Sequence, residues 1–423
     1  MLKSRQIRRR RPLPGGRPFR VLIAALAVSS LGDWLYNVAL LAFVYDRTHS
    51  ATWVALTTAA RVAPIVVLGP LGGMLTDRHD RRVLMITSDA VRAAVMVLLA
   101  AVAVTGLPVL LAPLLAAAAT AAATVNLPCV AASTARMVPG DELARANALR
   151  AAVNQGAVVV GPALGALVLV ATTPALAILL NGLTFVASAA AMLSLGAGPV
   201  FAAPRTRDDR PERSSVLADI VAGARALRGA PAAVRLIAAD TVCSAVYGML
   251  TVMLVVIGRR LGAGNGGYGL LLAAYGVGGV IGASLIGRLV EPSRWRTTLT
   301  IALLLVATSL LAVGTALSLT QALVAALLGG GGMVAGEVLS DTALPVLLDD
   351  AVLGRAYGLA LPVSISGIAV GSLVAGPLMA VAGTTGAFGV AAAAVITVCG
   401  LLVRRPIVAD QSTPATLITT TCP

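Results

Sequence analysis

The chain has 423 residues, of which 58% are hydrophobic and only 12% charged; soluble globular proteins carry about 25% charged residues, so a water-facing surface over this much apolar side chain is excluded and a bilayer is the fitting solvent. The formal net charge is +14, but the basic residues lie between apolar runs and are not interleaved with aromatics. That placement fits lipid headgroups and membrane orientation and argues against a nucleic-acid partner.

In chain order, residues 1–19 form a basic N-terminus with Lys3, Arg5, Arg8 to Arg11 and Arg17. The apolar run from Val21 to Val44 is longer than the ~7–15 apolar residues of a signal peptide, and it reads as an uncleaved first span. Runs near 20 residues, the length that crosses the hydrocarbon as helix, recur at 20–44, 51–73, 83–104, 108–131, 148–170, 174–196, 234–257, 267–289, 298–318, 321–345, 356–379 and 383–403. Helices are required because lipid offers a bare backbone no hydrogen-bond partner. The expected fold is therefore all-α: twelve transmembrane helices in two six-helix bundles, 20–196 and 234–405. Between the bundles, residues 197–233 are polar, with Leu217, Ile220, Val221, Ala224 and Leu227 at helical spacing. That pattern predicts an amphipathic helix on the cytoplasmic membrane surface. Residues 406–423 form a Thr-rich tail, expected to be disordered and cytoplasmic.

Arginine placement sets the orientation. Ends and loops on the N-terminal side carry Arg78, Arg81, Arg82, Arg136, Arg145, Arg150, Arg288, Arg294, Arg296, Arg355, Arg404 and Arg405, and the opposite loops only Arg47, Arg259 and Arg260. Both termini are thus expected in the cytoplasm. Three landmarks pair the halves: Asp33 with Asp240 (offset 207), Arg145 with Arg355 (210), and Gly161-Pro162 with Gly376-Pro377 (215). Such repetition marks a two-bundle transporter.

Between the second and third spans runs Gly69-Pro70-Leu71-Gly72-Gly73-Met74-Leu75-Thr76-Asp77-Arg78-His79-Asp80-Arg81-Arg82. Its glycines allow close helix approach, Asp77 is placed to cap a helix or meet an arginine, and the arginines hold the loop on the cytoplasmic side. Gly73, Asp77, Arg78, Arg81 and Arg82 resemble the signature loop of the major facilitator superfamily, Asp80 standing where that pattern has a second glycine. With Arg61-x-x-Pro64 before it and Ser88-Asp89-x-x-Arg92 after it, the region is similar to the enterobactin-exporter and macrolide-efflux branch. In that family the loop stabilises the outward-facing state, so these five residues are the expected gating loop. Further along, Pro128 and the stretch Val138 to Ala148 are similar to the same branch. Gly161-Pro162-Ala163-Leu164-Gly165 resembles the core of a motif associated with exporters, although Ala157 and Ala166 replace glycines of the fuller pattern. Pro162 frees a carbonyl and permits a bend, which makes Gly161, Pro162, Gly165, Gly376 and Pro377 the expected helix-bend positions. The arginine that proton-driven drug antiporters of the superfamily carry in span 4 is missing: no charge lies between Leu110 and Val130.

The acids inside the expected spans are Asp33, Asp240, Glu337 and Asp341. An ionised Asp at the bilayer centre costs about 2.5–3.5 kcal/mol even on lenient scales, and a carboxyl that switches between charged and neutral forms is what proton coupling needs. These four are the coupling candidates. Trp34, Tyr36, Asn37, Arg61, Tyr247 and Tyr275 are the substrate-cavity candidates. Asp89 and Arg92, three apart on one helix, are expected to pair with each other. Cys129, Cys243, Cys399 and Cys422 show no metal or redox spacing, and His49 and His79 are the only histidines. No nucleophile, base or metal cluster appears, so no enzyme, cofactor or metal is expected.

The resemblance implies a secondary-active exporter of an amphipathic small molecule (a drug, antibiotic, siderophore or other secondary metabolite) in a bacterial inner membrane. Substrate would bind near the midplane between the halves, and rocking of a monomer with proton antiport would drive it out. The partners are then substrate, protons and membrane lipids. Proton-coupled uptake of a nutrient is the rival within transport, and a non-transporting sensor or scaffold the rival outside it.

Overall fold

A computed structural model of the chain describes residues 16–196, 198–202, 231–286, 295–347 and 350–404, with Pro14 and Arg225 as isolated positions. The N-terminal arginines Arg5 and Arg8 to Arg11, the amphipathic helix expected around Leu217–Leu227 and the tail after residue 405 lie outside them. The described residues form helices α1 (Arg17–Thr48), α2 (Ala51–Arg78), α3 (Arg81–Val104), α4 (Leu111–Ala123), α5 (Asn126–Met137), α6 (Leu143–Ala171), α7 (Pro174–Leu193), α8 (Pro231–Arg260), α9 (Gly267–Ile286), α10 (Trp295–Gly314), α11 (Leu319–Leu347) and α12 (Asp350–Arg404).

Eleven helical segments among the described residues are long and apolar enough to cross a bilayer. Two of them depart from a simple rod. α4 and α5 together make one span, Leu111–Met137, where the sequence predicts a single helix. The helix breaks at Thr124 because Pro128, one turn later, has no N–H to give the Thr124 carbonyl. α12 has 55 residues and would run about 80 Å if straight, more than twice the ~30 Å hydrocarbon core. At Gly383 the backbone turns to φ 69°, ψ 172°, a conformation open to glycine alone, and the element becomes two spans. With that break the twelve expected spans are present. α6, in contrast, continues through Pro162 as one helix.

The chain clusters into two compact units, Met1–Thr48 with Ala63–Pro211, and His49–Val62 with Glu212–Pro423. In the second unit helices meet backbone to backbone. A Cβ placed on Gly371 of α12 would lie 1.8 Å from the Ala245 carbonyl oxygen of α8, and one on Gly248 of α8 would lie 2.1 Å from that of Ile368. α9 and α11 repeat the device, with Gly278 at 1.8 Å from the Leu327 oxygen and Gly330 at 1.8 Å from that of Tyr275. In the first unit Gly161 of α6 faces the Trp34 Cβ at 2.3 Å, and Gly165 faces the Leu35 carbonyl at 3.1 Å. Close approach in the loop region falls at Gly72, against the Thr124 carbonyl that Pro128 leaves free, whereas Gly69 and Gly73 meet nothing within 4 Å.

These contacts fix the register of the repeat. Gly161 meets the Leu31 carbonyl and Gly165 that of Leu35, as Gly367 meets the Thr241 carbonyl and Gly371 that of Ala245, an offset of 210 along α1 and α8 and of 206 along α6 and α12. Ser30 contacts Asn154 of α6 at 3.4 Å, and Asp240, 210 residues further on, is hydrogen-bonded to Ser364 of α12. Asp240 therefore corresponds to Ser30, one helical turn from Asp33, and not to Asp33 itself. Gly376 likewise does not take the place of Gly161: it meets the backbone of Thr52.

Replacing Gly371 or Gly330 by valine is expected to lower the thermal stability of the detergent-purified protein by about 1–3 kcal/mol or more, the cost of overfilling a packed interior. Gly69→Ala is expected to leave the unfolding temperature close to wild type, because open space surrounds that position.

Candidate functional site: ionisable groups within the spans

Three helices of the first unit carry a charge cluster. Asp89 and Arg92 are eight and eleven residues into α3, about 12 and 17 Å from its start at 1.5 Å per residue, inside the apolar span. Arg92 Nη2 donates to both oxygens of Asp33 on α1, at 2.5 and 2.6 Å. Arg92 Nη1 lies 3.5 Å from Asp89 Oδ1 and 3.5 Å from Ser29 Oγ. The guanidinium carbon sits 3.8 Å from the centroid of the Phe185 ring on α7, a cation–π contact strengthened by its dry setting. Ser188, one turn along α7, hydrogen-bonds Asp89. The Arg92 and Asp89 side chains are 6% and 5% exposed, and that of Asp33 is 39% exposed.

The fold explains this placement. Gly32 lets α7 approach α1 so closely that a Cβ there would lie 2.3 Å from the side-chain oxygens of Asn181 and Thr184. α7 thereby closes over Asp33 and Arg92 from one side, while Gly161 and Gly165 of α6 hold α1 from the other. Trp34, half-buried, is the residue against Gly161. Tyr36 and Asn37 are buried in the first unit, 3% and 6% exposed.

At the end of α2, Asp77 and Arg78 are exposed. The helix cap is Asp80, not Asp77: Asp80 Oδ1 accepts from the backbone N–H groups of Arg82 at 2.9 Å and Val83 at 3.1 Å. Asp80 immediately precedes α3, whereas Asp77 belongs to the last turn of α2. Arg82 closes the other end of the layer, donating to the carbonyls of Met192 (2.8 Å) and Leu193 (3.0 Å) at the C-terminus of α7. Arg81 is buried, and its backbone N–H donates to the Phe201 carbonyl at 2.9 Å. Arg136 donates to the Ala202 carbonyl at 2.6 Å, so the stretch of chain after α7 is pinned beneath the loop with Phe201 buried.

In the second unit Asp240 of α8 accepts a hydrogen bond from Ser364 of α12. Beside it a cleft of about 420 Å³ opens between these helices, walled by Thr241, Val242, Ala245, Pro362, Val363, Ser366, Gly367 and Val370. Thr241 and Ser366 turn their hydroxyls to their own helices, at the Ile237 and Pro362 carbonyls, which leaves the cleft wall apolar. Tyr247 lies within electrostatic range of Arg61 on α2 and Glu337 on α11, so three candidates from separate stretches meet in one unit. Tyr275 is buried instead, its hydroxyl 3.2 Å from Ser309 Oγ under the α11 glycines. The Asp341 side chain lies outside the described residues. Sequence reasoning missed Phe185, Ser188, Asn181 and Ser364, since single polar or aromatic residues in an apolar run carry no signal of what they face.

Twelve apolar helical spans define a polytopic membrane protein. A family model described as "Transmembrane secretion effector", of the major facilitator type, matches residues 12–416, and the chain belongs to that family. It is 36% identical over 77 residues to the MFS-type transporter YfiS of Bacillus subtilis (strain 168), a match covering 18% of each chain. It is 28% identical over 150 residues to Macrolide efflux protein A of Streptococcus pyogenes, covering 35% of this chain and 37% of that one. The aligned parts thus span about a fifth and just over a third of those relatives. Among solved structures, the nucleoside transporter NupG superposes with a TM-score of 0.73 at 10% identity, covering 92% of this chain and 99% of that one; this likeness shows the shared fold.

Asp80→Ala is expected to destabilise α3 by about 0.5–2 kcal/mol, the value of a lost N-cap, while Asp77→Ala is expected to leave thermal unfolding of the purified protein nearly unchanged.

Proposed function

We propose that this protein exports an amphipathic small molecule (a drug, antibiotic, siderophore or other secondary metabolite) across the inner membrane of a bacterium. It does so by alternating access, exchanging substrate for protons. In this reading the six-helix halves 20–196 and 234–405 are joined by residues 197–233, both termini lie in the cytoplasm, and the protein works as a monomer among lipids. The observation that carries the reading is the pair of mid-membrane carboxylates, Asp33 and Asp240, each engaged by a partner on another helix. An acid held this way can trade its partner for a proton, and inward proton flow supplies about 2.3 kcal/mol per 100 mV. The apolar cleft beside Asp240 has the size of a small-molecule pocket and favours an apolar or amphipathic substrate over a strongly polar one. Export as the direction draws on the family's description and on the partial match to a macrolide efflux protein. The loop residues Gly73, Asp77, Arg78, Arg81 and Arg82 act as the gate, and Trp34, Arg61 and Tyr247 contact substrate.

Cells expressing the wild type are expected to expel members of a panel of fluorescent amphipathic compounds, with efflux abolished by a protonophore. Asp33→Asn or Asp240→Asn is expected to cut energised efflux at least ~10-fold, about 1.4 kcal/mol in the coupled step, at unchanged membrane expression. Energised uptake in place of efflux would reverse the direction, and full efflux in both variants would remove these two acids from the mechanism.

A further inference from the structure

The cluster of α1, α3 and α7 contains two carboxylates and one guanidinium, a formal charge of −1 if all three are ionised. Arg92 and Asp89 are almost fully withdrawn from solvent, where an uncompensated charge is costly. α1, α4 and α7 bring no second cation to them, nor does α6 beyond Arg150. The charged groups around Asp89 are Arg92 from its own helix and Asp33 from α1. α7 supplies the Phe185 ring and Ser188 and has no charged residue; α4 has none either. α5 ends in Arg136, which is engaged with the Ala202 carbonyl. Around Asp33, α1 carries no other charge between Arg20 and Asp46, and α6 none after Arg150.

We propose that Asp33, Arg92 and Asp89 act as one proton-binding unit, in which two carboxylates share a single exchangeable proton around one guanidinium. One proton brings the cluster to neutrality, one acid ionised against one base. The distances assign its resting place. Arg92 Nη2 is at 2.5 and 2.6 Å from the Asp33 oxygens while Nη1 is at 3.5 Å from Asp89, so Asp33 is the ionised partner and Asp89 carries the proton, with Ser188 bonded to it. Asp33, at 39% exposed, is the most accessible of the three. In the alternative state Asp33 is protonated and Arg92 pairs with Asp89. Passing between the states breaks one carboxyl O–H bond and forms another, and Arg92 stays charged throughout. The role of this unit in transport rests on the proton-antiport reading; its proton binding does not.

The test is infrared spectroscopy of the purified full chain in lipid nanodiscs, following the carbonyl stretch of protonated carboxyl groups as the pH is raised from neutral. The wild type should show a band that fades on alkalinisation. Asp89→Asn and Asp33→Asn should each lack that band at neutral pH, since each leaves one acid facing one base. Arg92→Gln should raise the band about twofold, because both acids then lack their cation; should that variant fail to insert, the two Asn variants decide. A band unchanged in both Asn variants, or a wild-type band indifferent to pH, overturns the unit. That outcome alongside protonophore-sensitive efflux moves the coupling proton elsewhere. A titrating band alongside protonophore-insensitive efflux supports the unit and overturns antiport alone.

Discussion

Lipid tails are as apolar as leucine, so burial gives two membrane helices no reason to associate; close backbone contact and interhelical polar bonds must do it. The rest of this structure depends on that constraint. In the second unit the answer is glycine. Gly248, Gly367 and Gly371 bring α8 and α12 together, and Gly278, Gly282 and Gly330 bring α9 onto α11, each position leaving less room than a methyl group needs beside a neighbouring carbonyl. In the first unit glycine does only part of the work. There the seam of α1, α3 and α7 is closed by Arg92 and its two acids, with Asn181 and Thr184 beside Gly32.

The two units thus use one topology with different chemistry. α10 has no charge after Arg296, so the second unit has nothing on that helix corresponding to the Asp89–Arg92 pair on α3. Asp240 meets a hydroxyl, that of Ser364. A carboxylate opposite a serine has no fixed countercharge in that partner, whereas one opposite an arginine has a strong one. Two acids at similar depth therefore face unequal electrostatic environments, and any proton they bind is held by different partners.

Much of the fold is legible in the sequence because hydropathy is a direct reading of the solvent. Twelve apolar runs of helical length leave little else possible. The features that escape such a reading are local or long-range. Asp77 and Asp80 are both plausible caps by residue type, and only the helix start at Arg81 decides between them. Pairing like with like, Asp33 with Asp240, sets the repeat one turn out of register; the carbonyls that the paired glycines meet, Leu31 and Leu35 on α1 against Thr241 and Ala245 on α8, give an offset of 210. The Asp89–Arg92 spacing reveals an intrahelical pair, but the shorter bond runs from Arg92 to Asp33, 59 residues away, and no periodicity connects those two. Tyr275 has the residue type of a cavity-lining ring and is a buried strut for Ser309, because the glycines that press on it belong to another helix.

The same contrast between the units bears on how each can move. Bistable elements, not continuously deformable ones, turn a local charge change into movement. A glycine seam has one good arrangement, since any sliding drives a carbonyl into a neighbouring backbone. A guanidinium between two carboxylates has two, differing in which acid it faces and which holds the proton. The second unit's seams are therefore suited to move as a rigid body. In the first unit α1 is gripped by α6 through Gly161 and Gly165 and by α3 through Arg92. Loosening one grip while keeping the other would let α1 shift without melting the bundle.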